Sequence, residues 1–419
     1  MVRKKTKIVA TIGPASVSEK TLTAMVKAGM DVARLNLSHS DHRWHQSAIA
    51  NIRKVEKKLR KRIGILADLQ GPRIRVINEK PMQVKVGEKI LFTDLVHQNK
   101  SKRKKKIILD WDLFFAYLKP NAKIFIEDGL IQFKVVSVLN NGCLAEVVEG
   151  GEVKPHKAVN IPSISSKMKT LTDKDIFDLK FALSQRVDMI ALSFVANGQD
   201  IVTLRKTINN FLSADIIKKA GDYRPWIISK IERKAALKNL SKIIQYSDGV
   251  MVARGDLAIE VSQNKVGLLE KEIIKKSRRF HKPAIVATQM LASMENKRRP
   301  TRAEISDVTN AVIDQADALM LSGETATGLY PIHTVKTMSD IIKTVERSKY
   351  NDLRAVNRHL FKLLFSGKKS KYFSKTVNDL KILLKLSSLR QETVRLRLSK
   401  RKFSEWGKAA LIWGVDTTF

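Results

Sequence analysis

Short apolar runs alternate with amphipathic segments along most of the chain, and this pattern predicts strands joined by helices. Eight runs rich in β-branched and aliphatic residues are candidate strands: 5–13, 30–38, 62–70, 187–195, 226–232, 248–256, 283–291 and 317–324. Helical periodicity occupies the intervals 18–29, 41–62, 173–185, 200–211, 234–246, 263–280 and 305–314. Short buried strands that alternate with helices indicate β-α-β units and a parallel sheet. Eight units in succession predict an α/β fold, the TIM (β/α)8 barrel.

Polar side chains close the predicted strands, and this is a second pattern in the chain. They are Thr11, Arg34, Asp68, Ser193, Lys230, Asp256, Thr288, Ser322 and Glu324. In a TIM barrel the carboxyl ends of the strands meet at one face, and that face carries the active site. The pattern therefore predicts the position of a site as well as a fold.

The sequence ISKIE at 228–232 is the most informative of these strand ends. Lys230 and Glu232 are two residues apart, so they share a face of a strand. Burying such charges costs free energy unless a partner replaces the lost water. A structural ion pair inside the barrel is one explanation. Two carboxylates, Glu232 and Asp256, with a lysine between them favour a site for a divalent cation and a phosphate.

The alternation of helix and strand breaks between residues 75 and 162. This interval holds short strand-like runs separated by Gly, Asn and Asp turns, which predicts a small all-β domain inserted after the third strand. The predicted division is a catalytic barrel at 1–74 and 163–346, an inserted β-barrel cap at 75–162, and a shortened basic region at 347–419. That last region, with an apolar stretch at 380–389, is either a truncated α/β domain or a basic tail.

The charge is unusual, because 78 Lys and Arg face 41 Asp and Glu, a formal net charge of +37. The excess is spread along the chain with few aromatic residues, so compositional drift is favoured over nucleic-acid binding. The run KSKRKKK at 100–106 is interpreted as a solvated loop, with a nucleic-acid-binding patch as the alternative. The single cysteine, Cys143, excludes an internal disulfide and predicts a reducing cytoplasm. The short apolar run at the start predicts no signal peptide, and no stretch predicts a membrane helix.

Several motifs, in this order, resemble the pyruvate kinase family. They are KTKIVATIGPAS, ARLNLSHS, ADLQGPRIR, IEDGLI, ISKIE, VMVARGDL, ATQMLASM, RPTRAEISDV and LSGETATGLYP, within about residues 5–345. The resemblance implies a TIM barrel whose mouth is capped by a β-domain. It also implies phosphoryl transfer from phosphoenolpyruvate to ADP with Mg²⁺ or Mn²⁺, which gives pyruvate and ATP. The alternative is an inactive or repurposed paralogue that acts as a basic anion-binding or nucleic-acid-binding protein.

The resemblance assigns roles residue by residue. Glu232 and Asp256 would ligate Mg²⁺, Lys230 would stabilise charge on the phosphoryl group and the enolate, and Arg34 would clamp a phosphate. The Gly255 backbone and the Thr288 hydroxyl would hold the substrate carboxylate, and Asp256 would also contact the substrate. The nucleotide phosphates would be contacted by His39, Arg75 and Lys157. Ser322 and Glu324 are candidates for a water relay that protonates the enolate.

The resemblance also implies a site for a monovalent cation, formed by Asn36, Ser38, Asp68 and the Leu69 carbonyl. Members of the family that need K⁺ have a glutamate at the position of Arg73, whereas K⁺-independent members have a lysine. Arg73 therefore suggests that K⁺ is not required, although an exposed arginine without function is the simpler explanation. Two departures stand out: Ala258 replaces a glycine, and the C-terminal domain is much shortened, which leaves homo-oligomer formation and effector control open.

Overall fold

The computed structural model describes residues 4–100, 105–112, 114–127, 129–164, 168–213 and 223–350. The predictions for the part of the basic region beyond residue 350, including its apolar stretch at 380–389, lie outside these residues. Eight parallel strands form a closed barrel, in the order β1-β17-β16-β15-β14-β13-β3-β2. Their bounds are β1 Lys7–Thr11, β2 Val32–Asn36, β3 Gly64–Asp68, β13 Met189–Leu192, β14 Trp226–Ile231, β15 Gly249–Ala253, β16 Ala284–Ala287 and β17 Ala318–Leu321. The predicted TIM barrel is confirmed.

Strand alternation explains how the barrel positions its polar strand ends. One buried cluster contains residues of the barrel strands alone, including Val9, Val32, Leu66, Met189 and Ile228, so these side chains fill the barrel interior. The intervening strand residues pack with helical residues in a second cluster outside the strands. Because side chains two apart share a face, the inward-facing series continues to the strand ends. That continuation places Thr11, Arg34, Asp68, Ser193 and Lys230 at the mouth of the barrel.

The helices between the barrel strands follow the predicted segments in most cases. Their bounds are α1 Glu19–Ala28, α2 His42–Leu59, α3 Asp173–Ser184, α4 Gly198–Ser213, α5 Lys234–Lys238, α6 Leu240–Tyr246, α7 Arg254–Val261, α8 Val266–Arg279, α9 Arg302–Ile313, α10 Gly323–Ala326 and α11 Pro331–Arg347. Thr172 and Thr301 begin α3 and α9 with capping boxes, in which a threonine and an acidic residue satisfy each other's backbone N–H groups.

Two helix predictions and one strand prediction need correction. The segment 234–246 is two helices, because the Asn239 side chain donates to the carbonyls of Ala235 at 3.2 Å and Ala196 at 3.0 Å and so competes with the helical backbone. The predicted strand 248–256 ends at Ala253, and the following residues form α7. The segment 263–280 begins with a 3-10 turn at Gln263–Lys265.

Helix α11 was not predicted, and it completes the eighth strand-helix unit. Its first residue is a proline, which suits a position whose N–H has no intrahelical partner. Val335, Met338 and Ile342 are fully buried and belong to the cluster outside the barrel strands. The signal was present in the sequence as apolar residues at helical spacing.

The interval after β3 consists mainly of short strands. A seven-stranded sheet has the order β4-β12-β8-β9-β10-β6-β7, and a pair joins β11 to β5. The bounds are β4 Ile74–Arg75, β5 Met82–Val84, β6 Lys89–Asp94, β7 Lys106–Leu109, β8 Lys123–Ile126, β9 Ile131–Leu139, β10 Gly142–Glu149, β11 Gly151–Val153 and β12 Ala158–Asn160, with 3-10 turns at Gln98–Lys100 and Phe114–Tyr117. These residues pack in a cluster of their own. Their status as a separate cap domain stays a prediction.

Candidate active site

A pocket of about 150 Å³ lies at the carboxyl ends of β2, β3, β13 and β14. Its charged or titratable lining residues are Arg34, Arg73, Arg75, Lys230, His39 and Asp68. Among the residues that the structure describes, four permanently positive side chains thus face one carboxylate. The volume is below the range of about 300–1,000 Å³ for drug-sized ligands. The pocket suits a small and strongly anionic group.

Arg34 is held in place from two sides. Its Nε donates to Asp68 Oδ2 at 2.7 Å, and its Nη1 donates to Thr11 Oγ1 at 3.0 Å. Burial opposes the ionisation of Asp68, but Lys230 and then Arg34 outweigh it and keep the pKa of this carboxyl below its ordinary value. Asp68 is therefore an anion that orients two cations. The Arg34 side chain is 11% exposed, so a restrained guanidinium lines the pocket, as phosphate recognition requires.

Lys230 lies between two carboxylates. Its Nζ is 3.4 Å from Asp68 Oδ1 and 3.5 Å from Glu232 Oε2. Its closest contact is neutral, because the Ser193 hydroxyl oxygen accepts a hydrogen bond from Nζ at 2.7 Å. The side chain is 8% exposed, which leaves the ammonium desolvated beside the pocket. Such a charge interacts strongly with an incoming anion.

Glu232 has the properties expected of a metal ligand. Its Oε1 accepts the Phe194 N–H at 2.5 Å, whereas the buried Oε2 has no hydrogen-bond partner among the described residues. Burial raises the pKa of Glu232, and although Lys230 opposes this, the negative charge of Asp256 adds to it. A divalent cation would relieve the repulsion between the two carboxylates and give Glu232 Oε2, which lies 3.5 Å from Lys230 Nζ, a closer partner, so the residues present fit the ion.

The acidic pair cannot complete a coordination shell alone. Across the described residues, no three His, Cys, Asp or Glu side chains gather as a metal-binding group. A cation held by Glu232 and Asp256 would take its other ligands from substrate oxygens and water, as Mg²⁺ commonly does.

Arg73 joins the pocket to the acidic pair. It lines the pocket, its Nη2 lies 3.6 Å from Asp256 Oδ2, and its side chain is 27% exposed. Its guanidinium carbon is also 5.8 Å from the centre of the Phe194 ring. The Arg73 side chain is therefore half-buried and contacts a predicted metal ligand, and is not a fully exposed arginine. Its replacement of K⁺ stays a prediction.

Gly255 and Thr288, which are both predicted to contact the substrate, are in direct contact with each other. The Gly255 N–H donates to Thr288 Oγ1 at 3.0 Å. Thr288 has φ of 72°, a left-handed conformation that is strained for a β-branched residue and that is found preferentially at functional sites. Ala258 lies within α7 and is not among the residues with positive φ, so its replacement of glycine causes no backbone strain.

Sequence reasoning missed Arg254. Its guanidinium donates to the Thr288 carbonyl at 2.7 Å and pairs with Glu270 at 3.3 Å and Asp307 at 2.7 Å. These bonds fix the start of α7 against the loop that carries Thr288. The available signal was an arginine directly after a buried strand, a position where a charge needs partners.

The four residues predicted to bind a monovalent cation line the pocket together: Asn36, Ser38, Asp68 and Leu69. Three of them already have internal partners, since Asp68 accepts a hydrogen bond from Arg34. Asn36 Oδ1 accepts the Ser38 N–H at 3.2 Å, and the Leu69 carbonyl accepts the Ser193 hydroxyl at 2.6 Å. An oxygen atom of either kind has a second lone pair, so cation binding by this group stays a prediction.

The three predicted nucleotide contacts divide into two groups. His39 and Arg75 line the pocket, while Lys157 forms an ion pair with Glu127 in the region after β3 and is not among the lining residues. Burial, and then the positive charge of Arg75 and Arg73, lowers the pKa of the His39 imidazole below its ordinary value. His39 is therefore a neutral hydrogen-bonding group near pH 7.

Ser322 and Glu324 lie beside the loop that follows β16. The Glu324 carboxylate accepts the backbone N–H groups of Ser322 at 2.6 Å and Leu291 at 3.2 Å. Glu324 is 1% exposed, and burial raises its pKa. These hydrogen bonds connect the loop after β16 to the loop after β17 and are structural. The water relay stays a prediction.

An eight-stranded barrel with a cationic pocket and an acidic pair at its carboxyl end defines a TIM-barrel protein suited to phosphorylated, metal-bound ligands. The family model for the barrel domain of pyruvate kinase matches residues 3–335. The chain therefore belongs to the pyruvate kinase family.

Similar proteins agree with the family model. A pyruvate kinase from Clostridium perfringens is 40% identical over 356 residues, which cover 84% of this chain and 72% of that protein. One from Bacillus licheniformis is 41% identical over 350 residues, 82% of this chain and 58% of that protein. The chain thus spans about three quarters of the length of the first relative and about three fifths of the length of the second. In the described part of the chain, no helix combines the length and apolar character needed to cross a bilayer.

Proposed function

We propose that the protein transfers the phosphoryl group of phosphoenolpyruvate to ADP and forms pyruvate and ATP, the reaction that its resemblance to the pyruvate kinase family implies. The observation that carries this proposal is the contact between an anion-binding pocket and a carboxylate pair. Lys230 lines the pocket and lies 3.5 Å from Glu232, and Arg73 lines it and lies 3.6 Å from Asp256. Phosphoryl transfer depends on this combination, since catalysis consists mainly of positioning and charge stabilisation.

Arg34 and Lys230 would bind the phosphoryl group of the substrate from two sides. Asp68 contacts both cations, so their geometry exists before substrate binds. Preorganised charges need no rearrangement in the transition state, which makes them effective where charge moves to the enolate oxygen. Lys230 is the residue best placed to stabilise that charge, because its ammonium is buried and contacts the metal ligand Glu232.

Glu232 and Asp256 would hold Mg²⁺ or Mn²⁺. The ion would supply positive charge to phosphate and carboxylate oxygens of the substrate. Gly255 directly precedes Asp256 in the chain, and its N–H donates to the Thr288 hydroxyl. The Gly255 backbone and the Thr288 hydroxyl would orient the substrate carboxylate. His39 and Arg75 would contact the phosphates of ADP, and Lys157 would join them when the region of residues 75–162 moves toward the barrel.

A coupled assay tests the proposal. Purified protein is mixed with phosphoenolpyruvate, ADP and Mg²⁺, and lactate dehydrogenase reports pyruvate as loss of NADH absorbance. We expect turnover that stops when ADP, Mg²⁺ or the protein is omitted. Pyruvate formation that continues without ADP would indicate a phosphatase, and no turnover under any metal would overturn the proposed function.

The position of Arg73 predicts catalysis without a monovalent cation. The guanidinium supplies a permanent positive charge at the pocket, where K⁺ would otherwise act, and its contact with Asp256 restrains it. The wild type is expected to turn over in tetramethylammonium buffer without K⁺. For Arg73→Glu, we expect KCl to raise the rate about tenfold or more, since the loss of one such charge lowers the rate by at least about that factor.

The control is Arg278→Glu, which makes the same charge change on the exposed face of α8. It should leave the response to KCl as in the wild type. If K⁺ stimulates the wild type as strongly as it stimulates Arg73→Glu, Arg73 does not replace the ion.

A further inference from the structure

The Ser193 hydroxyl connects three strands at the bottom of the pocket. Ser193 follows β13 and is fully buried. Its oxygen lies 2.7 Å from Lys230 Nζ at the end of β14 and 2.6 Å from the Leu69 carbonyl after β3. We propose that Ser193 is a positioning residue that fixes the Lys230 ammonium for phosphoryl transfer; this inference rests on the proposed function.

The chemistry of the two neighbours sets the direction of both hydrogen bonds. A serine hydroxyl has one proton, and a carbonyl oxygen can only accept. The Leu69 carbonyl is the closer acceptor for the Ser193 hydroxyl, at 2.6 Å against 3.5 Å for Asp68 Oδ1. The Ser193 proton therefore points to Leu69, and an oxygen lone pair is left to accept from the Lys230 ammonium. An alanine at this position would remove both bonds. The arrangement holds the ammonium in one direction without adding a negative charge.

Lys230 needs such a contact because its other neighbours compete for it. Asp68 and Glu232 lie at almost equal distances, 3.4 and 3.5 Å, from its Nζ. A lysine side chain is a point charge on a flexible stem. Without Ser193 the ammonium can therefore move toward either carboxylate and away from the phosphoryl group of the substrate. A displacement of about 1 Å at a reacting centre can lower the rate about a hundredfold.

The same turn also holds the metal ligand. The residue after Ser193 is Phe194, whose backbone N–H donates to Glu232 Oε1 at 2.5 Å and whose φ is 55°. Gly71 packs against this turn so closely that a Cβ there would lie 2.8 Å from Ser193 Cβ and from Phe194 Cδ2. Ser193 and Phe194, which are consecutive residues on a tightly packed turn, thus support Lys230 and Glu232 at the end of β14.

The test is a double-mutant cycle with Ser193→Ala, Lys230→Met and the double variant, assayed for kcat and for KM toward phosphoenolpyruvate. For Ser193→Ala we expect kcat to fall about 10- to 100-fold, while KM changes by less than about threefold, because Lys230 acts mainly in the transition state. In the Lys230→Met background, Ser193→Ala should change kcat by less than about twofold, since its effect passes through the lysine.

The matched control is Ser247→Ala, another fully buried serine with two hydroxyl hydrogen bonds, to Ser229 and Ile243. Ser229 precedes Lys230, but its side chain lies on the opposite face of β14 from the lysine. The Ser247→Ala variant should leave kcat within about twofold of the wild type even if the melting temperature falls. An unchanged kcat in Ser193→Ala, an equal loss in the Lys230→Met background, or an equal loss in the control would overturn the inference alone. An inactive wild type would overturn the proposed function with it.

Discussion

Lys230→Met is expected to lower kcat by about a thousandfold or more while phosphoenolpyruvate still binds. The methionine keeps the length of the side chain and removes the ammonium, which is 8% exposed and lies next to Glu232. Removing one preorganised electrostatic contact costs about 10²–10³ in kcat, and here the full charge is lost in a desolvated site. Because the charge acts mainly in the transition state, the loss should appear in kcat rather than in binding.

Steady-state kinetics gives kcat for this variant, and calorimetric titration gives the affinity for phosphoenolpyruvate with Mg²⁺. The control is Lys238→Met, on the exposed surface of the neighbouring α5, which should behave as the wild type. Retention of more than about a tenth of the wild-type kcat is incompatible with the loss of such a contact and would remove Lys230 from the mechanism.

Glu232→Gln is expected to abolish metal-dependent turnover almost completely. The amide keeps the size of the side chain and can still accept from the Phe194 N–H, but it is neutral and presents a poorer ligand to Mg²⁺. Mn²⁺ should bind at least about 100-fold more weakly. Even mutation of a residue that only hydrogen-bonds to a metal ligand lowers metal affinity about 10- to 100-fold. We expect kcat/KM to fall about a thousandfold, because several kcal/mol of charge stabilisation depend on the ion.

Titration of Mn²⁺ by electron paramagnetic resonance measures this affinity without turnover. The control is Asp188→Asn, at the opposite end of the barrel, where the carboxylate pairs with Arg53 and Arg62. That variant should lose thermal stability and keep its Mn²⁺ affinity. Equal Mn²⁺ affinity in Glu232→Gln and the wild type would show that Glu232 is not a ligand.

Much of the barrel and the location of its site were predictable, because strand alternation links both. The parity that buries Leu66 and Ile228 in the barrel interior carries Asp68 and Lys230 to the mouth. The sequence therefore predicts which strand ends meet. It does not predict which side chains touch, since that depends on the rotamers of long side chains and on the register between strands.

The residues that sequence reasoning missed show this limit. Ser193 was visible as a polar strand end, but its bond to Lys230 depends on a register that pairs Leu192 with Ser229. The contact between Arg73 and Asp256 joins the loop before β4 to the first turn of α7, which are far apart in the sequence. The break at Asn239 arises from a side-chain bond to Ala196, a tertiary contact that helical periodicity cannot reveal.

The most direct test of the central claim is ³¹P NMR of the wild-type protein with phosphoenolpyruvate, ADP and Mg²⁺. The account predicts that the phosphoenolpyruvate signal disappears as the γ-phosphate signal of ATP appears in equal amount, and that Lys230→Met slows both together by about a thousandfold. Conversion of phosphoenolpyruvate to inorganic phosphate, or no change in either signal with the wild type, would contradict phosphoryl transfer by this site.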